Sequence, residues 1–96
     1  MLSFVSRMKV KEGREAEFID IANQLMEKAN AHEPHTLYYR FFKIRDSERG
    51  YAVIESFTSL EAEEAHLETP YFKALVPGMV DCLDGPYTRE YMDDLE

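Results

Sequence analysis

Between Thr36 and Thr58 the chain alternates with period two twice, and only the charged segment RDSERG (Arg45–Gly50) separates the two stretches. A link this short cannot carry a crossover, so Thr36–Ile44 and Tyr51–Thr58 must pair as an antiparallel hairpin. In the first stretch Leu37, Tyr39 and Phe41 share one face, and Tyr38, Arg40, Phe42 and Ile44 the other. In the second, Tyr51, Val53, Glu55 and Phe57 oppose Ala52, Ile54, Ser56 and Thr58. Aromatic mass therefore lies on both faces of the hairpin. A chain of 96 residues with two helical regions can cover one sheet face with its helices. The other needs a different cover, and a second copy of the chain is the most economical one.

The remaining elements fit around that hairpin. Leu2–Val10 alternates as a strand, with Leu2, Phe4, Met8 and Val10 in phase and Ser6 breaking the apolar series. Phe18, Ala22, Leu25 and Ala29 recur at helical spacing and predict a helix from about Arg14 to Asn30. The polar run NAHEPHT, containing Pro34, then ends it. A second helix should start after Thr58, capped by its hydroxyl with Glu61 closing a capping box. Glu61, Glu63 and Glu64 then read as its outer surface, and Ala62, Ala65, His66 and Thr69 as its inner face. Thr69-Pro70 predicts a restart, with Phe72, Leu75 and Val76 inward until Pro77-Gly78. The last strand should be Tyr87–Met92, or a longer one bent at Asp84-Gly85-Pro86. The order β-α-β-β-α-β predicts an α+β, ferredoxin-like fold with an antiparallel sheet, built as one domain over 1–96.

Composition removes several classes of function. The formal charge is −8, from 11 Lys+Arg against 19 Asp+Glu, and the cations are scattered, which disfavours a nucleic acid partner. Uncharged runs such as ALVPGMV fall far short of a membrane span. The single cysteine, Cys82, reads as an inert thiol in a reducing compartment, and nothing at the N-terminus signals export, so a cytoplasmic location is expected. His32-x-x-His35 lies on a polar loop and reads as surface, so no metal site is expected. Glycine-rich phosphate loops, nucleophile elbows and nucleotide fingerprints are all missing.

Two residues are out of place. Glu55 sits in an apolar strand register, where a carboxyl is costly unless paired. His66 sits on the inner face of the second helix, which returns over that strand. If both face inward, Glu55 orients the imidazole and leaves its other nitrogen for a ligand. The plainer alternatives are a core histidine satisfied by backbone groups and a solvated Glu55 paired with Arg40. Tyr38, Tyr39, Tyr51 and Tyr71 suit either a site for a flat aromatic molecule or a protein interface, and Tyr71 has the best claim to a pocket. Arg40 suits an anionic ligand or a surface ion pair.

Three segments, VKEGREAEF, EPHTLYY and above all IESFTSLEAEEAHLETPYFKAL, resemble the antibiotic biosynthesis monooxygenase family along nearly the whole chain. The last one couples Glu55, Phe57, Ala65-His66, Thr69-Pro70 and Phe72. The resemblance implies a homodimeric α+β barrel, with two ferredoxin-like sheets face to face and a pocket between each sheet and its helices. It implies oxidation of a small quinol or phenol by O2 with no metal, flavin or other cofactor. It makes His66 and Glu55 the catalytic pair, with Tyr71, Tyr39, Tyr51, Phe57, Phe72 and Arg40 around the substrate. Two departures stand out. Many relatives carry histidine in place of Tyr71 and tryptophan in place of Phe57. The absence of tryptophan also separates the chain from haem-degrading relatives. An isomerase acting on a small carbonyl metabolite and a non-catalytic dimeric ligand-binding protein remain open alternatives.

Overall fold

A computed structural model describes residues 1–96. The elements are β1 (Leu2–Lys9), α1 (Glu15–His32), β2 (Thr36–Lys43), β3 (Gly50–Phe57), α2 (Leu60–Leu67), α3 (Pro70–Asp81) and β4 (Thr88–Met92). The sheet runs β2-β3-β1-β4 with every neighbouring pair antiparallel, two interleaved β-α-β units in the ferredoxin-like arrangement. The apolar stripe of α1 lands where its period puts it. Phe18, Ala22, Leu25 and Ala29 are all buried, packed with Tyr39, Tyr51 and Val53 of the sheet and Met79, Cys82 and Leu83 at the end of α3.

Five local expectations need correction, and each has a physical cause. Helix α1 runs on through Ala31 to His32, because Pro34 restricts the residue before it and so stops the helix only at Glu33. In β2, Leu37 does not face inward with Tyr39. The β2–β3 register slips between Thr36 and Tyr38, bulging Leu37 out to 54% exposure and turning Thr36 inward opposite Phe57. The cap of α2 is Ser59, whose hydroxyl accepts from Ala62 N–H at 3.1 Å, so Glu61 closes no capping box. Thr58 is unavailable because its own N–H is donated to the His35 carbonyl at 3.0 Å, which holds it in line with the strand. Glu63 is not on the outer surface but 5% exposed, whereas Ala65 is exposed. Finally, Pro77-Gly78 does not end α3. The only hydrogen bond Pro77 forfeits is one to the carbonyl of exposed Lys73. Beyond it, Cys82 and Leu83 are buried and two bonds, Lys11 N–H to Cys82 O (2.8 Å) and Asp84 N–H to Lys9 O (2.7 Å), tie the helix end to β1.

Thr69 caps α3 as expected, accepting from Phe72 N–H at 3.3 Å with Pro70 as first residue. Removing either cap should cost stability at a scale urea titration resolves. Ser59→Ala and Thr69→Ala should each lose about 1 kcal/mol, whereas Thr58→Ala, which touches no cap, should stay within about 0.5 kcal/mol.

Candidate active site

The site forms where α1 ends, α2 crosses β3 and β4 closes the far side. His66 is 1% exposed and held edge-on or tilted by three rings, with centroids 4.9 Å from Tyr39, 5.4 Å from Phe57 and 5.1 Å from Phe72. Its Nδ1 lies 2.7 Å from Glu33 Oε1. Glu33 also accepts from the Thr36 hydroxyl at 2.7 Å and, through Oε2, from the Tyr71 hydroxyl. The bulge at Leu37 is what points Thr36 at this carboxyl. On the other side, His66 Nε2 is 3.9 Å from Glu55 Oε1, beyond hydrogen-bond length, and is the only buried side-chain polar atom without a partner.

Glu55, 8% exposed, faces a cavity of about 90 Å³ whose lining includes Ser6, Tyr39, Val53, Phe72 and Arg89. Most of the wall is apolar. The half-exposed Val80 and Tyr87 also line it, which places its mouth between α3 and β4. Burial is the main cause that pushes the Glu55 carboxyl up to about 8; Glu63 and Glu33 add to the rise, and the Arg89 guanidinium opposes it. Burial also drives the Tyr39 hydroxyl well above its ordinary range, with the nearby carboxyls adding to the effect, so it stays a proton donor. Arg89 lies 4.2 Å over the Phe4 ring and bonds Glu63 Oε2 at 3.3 Å, fixing β4 against α2. A second cleft of about 200 Å³ opens on the opposite side of His66, beside Glu33, His35 and Thr36.

The residues expected at the site divide into three groups. Glu55, Tyr39 and Phe72 line the inner cavity. His66, Phe57 and Tyr71 stand behind it: Phe57 packs on the imidazole, and Tyr71 turns to Glu33, its hydroxyl pushed up to about 12 by burial and that bond. Tyr51 and Arg40 lie elsewhere. Tyr51 bonds Glu15 and packs at a tilt against Phe18 beside α1, because its place at the start of β3 puts it at the opposite end of the sheet from Phe57. Arg40 is on the outer sheet face, 5.6 Å over the Phe42 ring, since strand parity opposes it to Tyr39. Glu33, Glu63 and Arg89 were not foreseen. Glu33 did leave a signal, because a carboxylate at a helix C-terminus opposes the dipole and needs compensating donors.

An interleaved four-stranded sheet, roofed by helices over an apolar pocket with one ionisable carboxyl, defines a small ferredoxin-like α+β protein. The chain belongs to the antibiotic biosynthesis monooxygenase family, whose sequence model matches residues 1–78. A Caulobacter crescentus CB15 protein assigned to the antibiotic biosynthesis monooxygenases superimposes with a TM-score of 0.92 at 33% identity, over 99% of this chain and 90% of that one. Another structure given as an antibiotic biosynthesis monooxygenase has a TM-score of 0.90 at 24% identity, over 100% of both chains. A Nitrosomonas europaea protein assigned to the same family gives 0.90 at 17%, again over 100% of both. The last two likenesses are of fold. Among curated proteins none matches the sequence. No helix is long and apolar enough to cross a membrane.

The raised Glu55 carboxyl has a consequence for stability. Its folded value lies above its unfolded one, so the folded state binds more protons between about pH 4.5 and 8, and stability falls as pH rises through that window. Glu55→Gln should remove that slope. Urea melts of the two proteins should converge near pH 4.5 and diverge by about 3–5 kcal/mol at pH 9, the variant being the more stable.

Proposed function

We propose that this protein is a monooxygenase that oxidises a small quinol or phenol with O2, needs no bound cofactor, and works as a homodimer in a reducing cytoplasm. The observation that carries the reading is Glu55, a carboxyl facing an otherwise largely apolar cavity with a protonated tyrosine and an arginine beside it. A general base for a phenol needs an affinity for protons near the working pH, and burial supplies it here. Ionised Glu55 takes the hydroxyl proton, and the Tyr39 hydroxyl and Arg89 favour the phenolate. In this reading Glu55 meets the substrate and His66 supports it from behind, the reverse of the roles the family resemblance implied.

The substrate anion then supplies the electrons. O2 adds to the ring, one oxygen atom stays as a ring carbonyl, and the other leaves as water, so the quinol loses all four electrons that dioxygen gains. The apolar wall protects the anion and the peroxide from bulk water. An apolar cavity of about 150 Å³ holds benzene. The space of about 90 Å³ is smaller than that, so at most a single ring enters, and only as the exposed Tyr87 moves aside at the mouth.

The uncovered sheet face supports the dimer. Tyr38 and Phe42 are exposed there beside Ile54, Val5 and Met92, a face that a second copy would bury. Sedimentation should give a dimer at micromolar protein, and a Phe42→Glu/Ile54→Glu double variant should be monomeric. A monomeric wild type would overturn the assembly.

Oxygen-electrode assays with a panel of single-ring hydroquinones and phenols in metal-free buffer test the reaction. Uptake should rise with pH through about 8 as Glu55 ionises. Glu55→Gln should lose about 100-fold or more of kcat, and His66→Ala should lose activity strongly as well. Turnover without O2 uptake would assign the carboxyl to enolisation of a carbonyl compound instead. Binding with no turnover would make the protein a ligand carrier.

A further inference from the structure

The geometry points to a proton relay, Glu55–His66–Glu33, that parks the substrate's proton outside the inner cavity during the oxygen step and returns it afterwards. The relay rests on the reading that the cavity deprotonates a quinol or phenol. A proton left on Glu55 would sit against the anion it came from and recombine with it. Arg89 cannot take it, and Glu63 is already committed to Arg89 at 3.3 Å. The remaining neighbour is His66.

His66 is built unlike a structural histidine. A buried imidazole normally satisfies both nitrogens, but here Nδ1 is bonded at 2.7 Å and Nε2 has nothing. Glu33 receives three groups, His66 Nδ1 and the Thr36 and Tyr71 hydroxyls, and a carboxylate can satisfy all three only by accepting. The proton of the neutral ring therefore sits on Nδ1, and the bare Nε2 lone pair faces Glu55 across 3.9 Å. A shift of about 1 Å would bring the two to hydrogen-bond length. The rings of Tyr39, Phe57 and Phe72 hold the imidazole in that aim. Glu33 meets the outer cleft and ends the line on the far side of the imidazole from the inner cavity.

The proton balance closes without a net donor. Glu55 takes the O–H proton and hands it to Nε2 while the Nδ1 proton moves to Glu33, leaving Glu55 ionised and the phenolate unable to recombine. When O2 has added to the ring, the same steps run backwards and deliver one proton to the peroxide anion. Water then departs with the ring C–H hydrogen. The reversal also restores the Nδ1–H tautomer, which a clamped ring could not regain by flipping.

The first test uses the protein alone. Long-range proton–nitrogen spectra of histidine-labelled protein between about pH 6 and 9 should show neutral His66 protonated on Nδ1. Its Nε2 resonance should follow a titration that disappears in Glu55→Gln. Tyr39, Arg89, Glu63 and Glu33 surround the pair and remain in that variant, so the loss isolates Glu55. A ring protonated on Nε2, or an Nε2 signal indifferent to Glu55→Gln, overturns the relay. In O2 uptake, Glu33→Gln should lower kcat roughly ten- to hundredfold with KM within about twofold. An undiminished kcat overturns the relay whatever the tautomer. If no quinol or phenol drives O2 uptake in the wild type, the oxygenase reading fails on its own, and the spectra still decide the proton's place.

Discussion

The carboxylate of Glu33, set at the C-terminal end of α1, is the contact on which the rest of the site depends. Helix ends of that polarity repel negative charge, and a carboxylate is stable there only if donors surround it. Three come from three different elements: Thr36 from β2, His66 from α2 and Tyr71 from α3. One side chain thus ties the sheet to both later helices and fixes the imidazole by one nitrogen. Charge-assisted hydrogen bonds of this kind are among the stronger ones available to a domain of this size. The bulge at Leu37, which leaves a leucine in solvent, is the local cost of bringing Thr36 into that set.

The fold was legible because it is written in periods. The stripe Phe18, Ala22, Leu25 and Ala29 and the alternation of Tyr51, Val53, Glu55 and Phe57 each name a buried face without outside information. Glu55 and His66 were legible for the same reason, as polar residues in apolar registers. Glu33 was not, because it lies in a polar loop where period carries no signal, and the clue it left, a carboxylate at a helix C-terminus, is electrostatic. Glu63 and Arg89 escaped for a different reason. They are 26 residues apart, and only the placement of β4 beside β1 makes them neighbours. Pairing of this sort is a tertiary fact that single-sequence spacing does not encode. The corrected helix limits follow the same division: Thr58 failed as a cap because of a hydrogen bond to His35, which no local motif announces.

The interior holds three carboxyls, and they differ in the partners that offset their burial. Glu63 faces a guanidinium, and Glu33 is spread over three donors. Glu55 has neither, only a bare imidazole nitrogen beyond bonding distance and an arginine already shared. Desolvation therefore falls on Glu55 with little relief, and its carboxyl is held neutral up to about 8. That raised affinity for protons also explains the plain apolar wall around it. More donors in the cavity would stabilise the anion of Glu55 and lower its proton affinity, so that a phenol could no longer give up its proton to it. A cavity this poor in polar groups keeps the base strong, but it leaves no internal place for the proton the base has taken. The vacant nitrogen of His66, turned toward Glu55 from outside the cavity wall, answers that need where the wall itself cannot.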